Sequence, residues 1–421
     1  ATVREMKAKH PPPLSPTSFQ TQDTSPQMKF SKEQVVKAIK SFKRGSAPGP
    51  DGMRAEHLKV AIKLAPPNRQ DKAAEAVTKL VNAMGSGAVP AIVAPFLGGA
   101  RLHAGLKKDN GIRPIAVGNI LRRLTSKCFM HGVADKAAIL LGPHQLGVGV
   151  RGGLEAIIHS MRHVIEGVED DTMVLQVDFI NAFNCCERDP AFKVVEEAFP
   201  DILQWVLTCY GVDAELIFGK TIIYSTTGFH QGDPLASLLF SLTLHPIVER
   251  IQLRVPNLLA NEWYLDDGAC AGKREELRAV VDIILRHGPA RGLILSTSAI
   301  SQSPKSTVWY PSPTAALLSD LDPLDRGIPL IVEDGIVLLG SPIGSRVFEK
   351  QVISRRIDKV RDISEMLPLM KDAQSEYVLL RSCLSIPKIM FTLRTTNPSH
   401  HQELWQRFDS ITRQTISMIL G

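Results

Sequence analysis

The chain has 421 residues, of which 44% are hydrophobic and 22% are charged, and its formal net charge is +6. This length leaves room for about three domains, and the composition is that of a globular protein with hydrophobic cores. The modest positive charge is compatible with a polyanionic partner but does not by itself indicate one.

The six cysteines show neither disulfide-like spacing nor a Cys-x-x-Cys pair. They therefore argue against a disulfide framework and a structural zinc site, and they indicate a reducing compartment. The sequence contains no signal peptide and no apolar run of about 18 residues. We therefore expect an intracellular protein, nuclear or cytoplasmic, that is not secreted and does not enter a membrane.

The N-terminal residues differ from the rest of the chain. Residues 1–29 are rich in Pro, Ser, Thr and Gln and lack apolar periodicity, which predicts a disordered leader. Order is expected to begin at Phe30. Ser31 and Gln34 form a capping box, and Phe30 and Val35 form the hydrophobic staple across it, which predicts the start of a helix.

A basic, turn-rich segment follows a predicted helical region. Asp109-Asn110-Gly111 marks the tip of a hairpin, with Lys107 and Lys108 on one arm and Arg113 on the other. An arginine fork and a lysine point charge suit a triphosphate ligand. The alternative is a charged hairpin that is simply solvated.

Aspartates stand beside two predicted strands. Residues 173–177 predict a buried strand that Asp178 follows directly, although this aspartate is alternatively a helix N-cap. Residues 262–269 predict a β-hairpin with Asp266 and Asp267 at its tip and Gly268 supplying the tight turn. Two adjacent carboxylates repel each other unless cations neutralise them, and such hard oxygen ligands suit Mg²⁺. A solvated loop is the alternative.

The C-terminal half adds four further elements. A glycine-rich turn at residues 228–234 leads into a helix, with Asp233 as the predicted N-cap. Residues 292–296 predict a strand, residues 335–340 predict a tight apolar hairpin, and helices follow from about residue 348. These last helices carry basic faces, which are either solvated or lie along a nucleic acid backbone.

The order of these motifs resembles that of reverse transcriptases, most closely the non-long-terminal-repeat retrotransposon and group II intron branch. The resemblance spans about residues 30–345, and each matching segment stands in the family's order. The segments are Ser46–Gly52, Lys108–Ile115, Asp178 with Ala182 and Phe183, Gln231–Leu235, Tyr264–Asp267, Gly292–Leu295 with Lys305, and the primer-grip motif Leu338–Gly340.

The resemblance implies an α+β right-hand polymerase fold with mixed fingers, a palm built on an antiparallel sheet, and a helical thumb. The implied boundaries are a leader at 1–29, fingers at 30–170, a palm at 171–344 with a fingers-associated helical insertion around 188–218, and a thumb at 345–421. The sequence shows no endonuclease, RNase H or zinc-knuckle signature. Either the chain is a fragment of a longer polyprotein, which would leave the thumb truncated, or the missing activities act in trans.

The implied activity is that of an RNA-directed DNA polymerase of a retrotransposon-like element, working on an RNA template, a DNA primer and dNTPs. By resemblance, the reaction uses two Mg²⁺ ions, for which Mn²⁺ is a substitute. Asp178 and Asp266 are the expected ligands of both ions. Asp267 would assist, and Phe179 would offer its backbone carbonyl. Nothing in the sequence indicates the oligomeric state.

Further roles follow from the same resemblance. Lys107 or Lys108 and Arg113 would hold the triphosphate, and the turn at Gln231 and Gly232 would contact the nucleotide. The remaining assignments are Phe183 as a steric gate against the ribose 2′-hydroxyl, Lys305 as general acid for pyrophosphate, and Leu338, Leu339 and Gly340 as support for the primer end. A merely packed phenylalanine is the alternative for Phe183.

Two other functions stay open on the sequence alone. One is a domesticated, non-catalytic scaffold that binds nucleic acid, but such scaffolds tend to lose the carboxylates that this chain keeps. The other is an RNA-dependent RNA polymerase. The opening motif Ser46–Gly52 and Phe183 both disfavour that alternative, since RNA replicases of related palm architecture usually lack an aromatic gate at the position of Phe183.

Overall fold

The computed structural model describes residues 2–16, 19, 27–64, 67–107, 111–167, 171–312 and 322–421, which form a mixed α+β fold. The α-helices, numbered α1 to α16 in chain order, are Thr2–Ala8, Lys32–Lys40, Ala55–Leu64, Pro67–Gly85, Ala94–Gly98, Ile120–Leu141, Gly153–Glu166, Ala182–Cys185, Arg188–Ala198, Pro200–Tyr210, Ala236–Arg254, Arg274–His287, Arg346–Ser364, Ala373–Leu379, Ile386–Thr395 and Gln402–Leu420. The strands, β1 to β11, are Ala100–Leu106, Ile112–Gly118, Thr172–Val177, Ala214–Phe218, Thr221–Ser225, Ala260–Tyr264, Asp267–Lys273, Thr307–Trp309, Leu330–Ile331, Gly335–Leu338 and Ser341–Gly344. Within these ranges no helix combines the length and apolar character needed to cross a membrane.

Two sheets organise the molecule. The first has the order β2-β1-β4-β5, in which β1 pairs antiparallel with β2 and parallel with β4. The second has the order β6-β7-β3-β8-β9 and is antiparallel except for the β8–β9 pair. A third, two-stranded sheet is the hairpin of β10 and β11.

Strand β3 is the centre of the second sheet and is buried on both faces. Met173, Leu175 and Val177 point into the largest core, whereas Val174 packs against α7 through Ile157 and its neighbours. This two-sided burial explains why the sequence of β3 is an apolar run rather than an alternation.

The capping box of α2 is confirmed. The Ser31 hydroxyl accepts a hydrogen bond from the Gln34 amide at 3.3 Å, and the Gln34 side chain accepts one from the Ser31 amide at 2.8 Å. Phe30 and Val35 are both buried, as the staple requires.

The predicted disordered leader is wrong for residues 2–16. Helix α1 forms there and buries Met6 completely against the first sheet. The Glu5 carboxylate accepts a hydrogen bond from the Ile112 amide at 3.2 Å, and the Lys9 carbonyl accepts one from Asn181 Nδ2 at 2.8 Å. The prediction failed because it relied on composition. A polar segment can become ordered through one buried apolar side chain and a few hydrogen bonds to distant residues, and composition does not show these contacts. Of the predicted leader, residues 1, 17, 18 and 20–26 lie outside the described part.

The predicted strand at residues 292–296 is also wrong. Its only ladder contact is a single bridge between Phe179 and Leu295. Gly292 has a φ of +69°, and a Cβ there would lie 1.9 Å from the Cys185 carbonyl oxygen. The segment is therefore a buried loop that packs on the chain after β3, which an apolar run alone does not distinguish from a strand.

The hairpin of β6 and β7 is confirmed, but its turn lies two residues before the predicted glycine. Tyr264 pairs with Asp267, so the turn consists of Leu265, with a φ of +58°, and Asp266. Gly268 lies within β7, where a Cβ would be 2.6 Å from the Trp263 ring. Glycine is required at this position by the aromatic ring beside it and not by the turn.

Gly268→Ala should therefore destabilise the fold by about 1–3 kcal/mol, because overpacking forces buried groups to shift. Trp263 is fully buried and stacks on Phe179 with ring centroids 6.2 Å apart, so its ring has little room to yield. The matched control is Gly167→Ala, where the nearest atoms lie 3.9 Å from the new Cβ. Chemical denaturation of both variants measures the difference, and equal effects would contradict the role given to Trp263.

One buried carboxylate contributes to the attachment of the C-terminal helices to the rest of the molecule. Glu349 in α13 accepts a hydrogen bond from Arg162 of α7 at 2.5 Å, and its other oxygen lies 3.0 Å from Nε2 of His401. Arg162 also donates to the carbonyl of Pro342 in β11. The predicted apolar hairpin and the predicted helices after residue 348 are both present, and this network holds them together.

Candidate active site

A cavity of about 1010 Å³ is lined by residues from both large sheets and from the turn before α11. It brings together most of the residues that the sequence singled out. Those that line it are Lys107, Arg113, Asp178, Phe179, Phe183, Gln231, Gly232, Asp266, Asp267 and Lys305. Lys108 lies outside the described residues, so its placement is not tested.

Strand pairing explains how the three aspartates meet. Val177 pairs with Gly268 at the end of the β3–β7 ladder, so one further step of this register sets Asp178 opposite Asp267. Residues opposite each other in an antiparallel pair have Cα atoms about 4.5–5.5 Å apart. Asp266 occupies the second position of the adjoining turn. Residues distant in sequence thus reach the same wall of the cavity.

A glutamine that sequence reasoning missed holds the aspartate turn. The Gln145 side chain accepts a hydrogen bond from the Leu265 amide at 2.7 Å and donates one to the Leu265 carbonyl at 3.0 Å. Leu265 has a left-handed backbone, which costs about 1–3 kcal/mol for a residue with a side chain unless the surroundings enforce it. Gln145 is buried and supplies that enforcement. Its sequence neighbourhood contains no pattern that would have identified it.

The electrostatics of the three carboxyl groups favour a positively charged ligand. Burial raises the pKa of Asp178 and of Asp266 above the usual value. Burial, followed by repulsion from Asp266 and Asp178, raises the pKa of Asp267 to about 7. Because Asp267 is exposed to the cavity, solvent screens part of this effect. A bound cation would offset the repulsion and lower all three pKa values.

The predicted magnesium ligands are not preformed as a tight cluster. In the described part of the chain, no three His, Cys, Asp or Glu side chains are arranged to hold a metal ion. The donor chemistry nevertheless fits a hard cation, because mutually repelling carboxylates line one cavity. Beside them, the Phe179–Leu295 bridge uses hydrogen bonds from Ile180 and Ser296, and neither bond involves the Phe179 carbonyl. The Mg²⁺ site therefore stays a prediction.

Cationic side chains face the aspartates. Burial raises the pKa of Asp266 overall, and the charges of Arg113, on β2, and Lys107 partly offset that rise. Lys305 partly offsets the rise in pKa that burial causes at Asp178. The amide of Lys305 donates to the Ser296 hydroxyl at 3.0 Å, which ties the lysine to the loop beside Asp178. The cavity is thus lined by both acidic and basic side chains, as a ligand that carries both phosphates and cations requires.

Phe183 contributes both to packing and to the cavity wall. Its ring stacks on Phe240 of α11 with centroids 4.6 Å apart, and the side chain is half-buried. Asn181, just before α8, has a left-handed backbone with a φ of 52°. Packing and the predicted gate are therefore compatible roles for Phe183. Its ring stacks on Phe240, and the same residue lines the cavity.

Asp233 is not the N-cap that the sequence predicts. Helix α11 begins at Ala236, and Asp233 accepts from the Leu235 amide at 2.9 Å while pairing with Arg122 at 2.9 Å. A buried arginine needs a counter-charge, which draws the aspartate away from the helix start. Helical periodicity gives a clue to Arg122, because it shares the buried face of α6 with Phe129 and Val133.

The predicted primer-grip residues Leu338, Leu339 and Gly340 do not line the cavity. They form the end of the β10–β11 hairpin, where the Gly340 carbonyl accepts from Arg356 at 2.6 Å. The hairpin still connects to the strand that leads to Asp178, since Gln176 of β3 donates to the Val337 carbonyl at 3.3 Å. Conversely, Lys9 lines the cavity although the sequence assigned it to a disordered leader.

A comparison with known families identifies the central part of the chain. The profile of the family described as reverse transcriptase (RNA-dependent DNA polymerase) matches residues 106–309. This segment includes both large sheets apart from strand β9 and all of β1 except its last residue, Leu106. It also includes the three aspartates and the cationic residues that face them. A search of curated proteins gave no match.

Proposed function

Residues 106–309 belong to the reverse transcriptase family, and from this premise we propose that the protein is an RNA-directed DNA polymerase of a retrotransposon-like element. It would extend the 3′-hydroxyl of a DNA primer with dNTPs on an RNA template. The observation that carries the proposal is that Asp178, Asp266 and Asp267 line one cavity together with Arg113 and Lys107. Phosphoryl transfer depends chiefly on positioning and charge neutralisation, which these side chains can provide.

In this proposal the first sheet belongs to the fingers, the second sheet forms the palm, and residues 345–421 form the thumb. Strands β4 and β5 follow the palm strand β3 in sequence but pair with β1. The fingers-associated insertion would therefore extend to residue 225 rather than end around 218. In this arrangement the basic hairpin of β1 and β2 contributes Lys107 and Arg113 to the cavity that the aspartates line.

Asp178 and Asp266 would hold two Mg²⁺ ions, with Mn²⁺ as a substitute, assisted by Asp267 and the Phe179 carbonyl. When bound, such ions neutralise charge at the attacking hydroxyl and at the leaving pyrophosphate. Arg113, by a fork, and Lys107, as a point charge, would bind the triphosphate, with Lys108 as the alternative lysine.

Other residues would act on the sugar, the leaving group and the primer. The turn at Gln231 and Gly232 would contact the nucleotide, and the Phe183 ring would exclude a 2′-hydroxyl. Lys305 would donate a proton to the leaving pyrophosphate. The hairpin end at residues 338–340 would support the primer from outside the cavity.

Lys9 adds one more cation to this cavity from a segment that lies before residues 106–309. We expect Lys9→Ala to raise the KM for dNTP by about threefold, as a partly solvated charge contact would. Lys7→Ala is the matched control, because Lys7 is exposed on α1 and does not line the cavity. The difference between the two variants should shrink at high salt. Equal KM values would remove Lys9 from the site.

Primer extension on matched RNA and DNA templates, with either dNTPs or ribonucleotides, tests the proposed function. We expect extension on RNA with dNTPs and a requirement for a divalent cation. Extension with ribonucleotides alone would instead support an RNA-dependent RNA polymerase. Tight binding of primer–template without extension under any condition would support the non-catalytic scaffold.

A further inference from the structure

The turn at residues 228–233 contacts both ends of the proposed nucleotide site. At its start, the Phe229 amide donates a hydrogen bond to the Phe183 carbonyl at 2.7 Å. Near its end, the Gln231 carbonyl accepts one from the Ala116 amide at 3.0 Å, and Ala116 lies on the same strand as Arg113. The position of the turn therefore determines where the Phe183 ring stands relative to Arg113.

Two glycines leave this turn no room to shift. Gly228 has a φ of +65°, and a Cβ there would lie 2.3 Å from the Phe183 carbonyl oxygen. Gly232 has a φ of +132°, and a Cβ there would lie 2.6 Å from the Ala116 carbonyl oxygen. The backbone of the turn is thus in direct contact with both elements.

Arg188 holds the first end of the turn. This arginine is only 3% exposed and donates to the carbonyl oxygens of Gly228 at 3.0 Å and Thr227 at 3.2 Å. It also donates to the hydroxyl of Ser225 at 2.9 Å, the last residue of β5. These bonds attach the Gly228 end of the turn to the edge of the first sheet.

Arg122 holds the second end. Its guanidinium pairs with Asp233 at 2.9 Å, with both side chains nearly completely buried, and also donates to the carbonyl of Gly98. The other Asp233 oxygen accepts from the Leu235 amide. The Gly232 end of the turn is thus fixed to α6 and to the start of α11.

His230 connects the two ends. Its Nδ1 lies 3.2 Å from Arg122, and its Nε2 lies 3.0 Å from the Ser225 hydroxyl. Because a guanidinium only donates, Nδ1 must be the acceptor and Nε2 must carry the proton. Burial, with the nearby arginines, lowers the pKa of His230 well below its usual value, so this arrangement holds at neutral pH.

We propose that this buried network positions the nucleotide site from two ends: Arg188 and Ser225 set the sugar gate at Phe183, whereas Arg122 and Asp233 set the phosphate-binding strand at Arg113. All four of these residues are positioning residues. Arg188, Ser225 and Arg122 do not line the cavity, whereas Asp233 does. The proposal deepens the proposed polymerase function and rests on it for its kinetic consequences. Its structural part does not require catalysis.

Hydrogen exchange tests the structural part on the full chain. In Ser225→Ala, the Phe229 amide should exchange about tenfold faster while the Ala116 amide changes by less than about twofold. In Asp233→Asn, the Ala116 amide should exchange about tenfold faster while the Phe229 amide changes by less than about twofold. If Asp233→Asn fails to fold, Arg122→Lys takes its place. Ser241→Ala is the matched control, because Ser241 is buried in α11 outside the network.

Two outcomes would overturn the proposal. Equal acceleration of both amides in either variant would show that the turn moves as one unit. Acceleration no greater than in Ser241→Ala would show that the network does not hold the turn. Both readouts are independent of any enzymatic activity, so they decide the matter even if the protein extends no primer.

Kinetics with dATP and ATP test the functional part. Ser225→Ala should lower the preference for dATP, expressed as a ratio of kcat/KM values, by about tenfold and leave its KM nearly unchanged. Asp233→Asn should raise the KM for dATP by about tenfold and leave the preference unchanged. If each variant both lost its preference for dATP and had a raised KM for dATP, the two ends of the turn would not have the separate roles proposed for them. Absence of extension by the unmodified protein would instead reject the proposed function.

Discussion

Asp266→Asn should abolish primer extension, lowering kcat by at least about 10³-fold, while the affinity for primer–template stays within about twofold. The reason is that an amide keeps the shape of the carboxyl group but removes the negative charge that a divalent cation requires. Asp178→Asn should have the same effect, because the strand register places Asp178 opposite Asp267, beside the same turn. Single-turnover extension and equilibrium binding of a labelled primer–template measure the two quantities separately.

The fold itself should not suffer from this change. Burial raises the pKa of Asp266, so its ionised form costs stability at neutral pH in the absence of a bound cation. Asp266→Asn should therefore unfold at a denaturant concentration no lower than the unmodified chain. Asp409→Asn, on an exposed face of α16, is the matched control and should retain full extension. Retained extension by Asp266→Asn would reject the catalytic assignment, and lost primer–template binding would show a different role.

Local chemistry was the part of the fold that the sequence predicted best. The capping box of Ser31 and Gln34 involves residues three apart, and its prediction is confirmed by both hydrogen bonds. The aspartate hairpin is likewise a short-range feature. The role predicted for Gly268 was wrong, because the Trp263 ring and not the turn requires glycine at this position. A turn motif contains no information on such side-chain packing.

Long-range contacts explain what could not be predicted. Residues 2–16 become ordered through partners more than a hundred residues away, such as Ile112 and Asn181. The Gln145 clamp on Leu265 spans 120 residues and has no local pattern. Arg122 was a partial exception. It interrupts a buried helical face, so a buried counter-charge could have been inferred, but nothing in the sequence identified Asp233 as that partner.

The distinction between what the sequence shows and what depends on long-range contacts also applies to the candidate site. Motif order placed the aspartates, Arg113 and Lys305 in one site, and the cavity contains all of them. The order of motifs could not show that Asp233 and His230 belong to a buried network behind the nucleotide turn. It also could not show that Lys9 reaches the cavity, because that segment has no apolar periodicity to indicate where it packs.

Phe183→Val should admit ribonucleotides, lowering the preference for dNTP over NTP by about 100-fold. The ring lines the cavity and is held in place by stacking on Phe240 and by the hydrogen bond from Phe229 to the Phe183 carbonyl. A shorter side chain would leave that backbone bond intact and open the space into which a 2′-hydroxyl would project. The ratio of kcat/KM values for dATP and ATP on one RNA template measures the change.

Phe218→Val is the matched control for this prediction. Phe218 is a half-buried phenylalanine of β4 that packs on the first sheet and does not line the cavity. Both substitutions remove the same atoms, so both should cost about 1–3 kcal/mol of stability, but only Phe183→Val should change the sugar preference. An unchanged preference in Phe183→Val would show that the residue packs against Phe240 without acting as a gate. Since Phe183 is also the residue that disfavours an RNA polymerase, the same result would return that alternative to consideration.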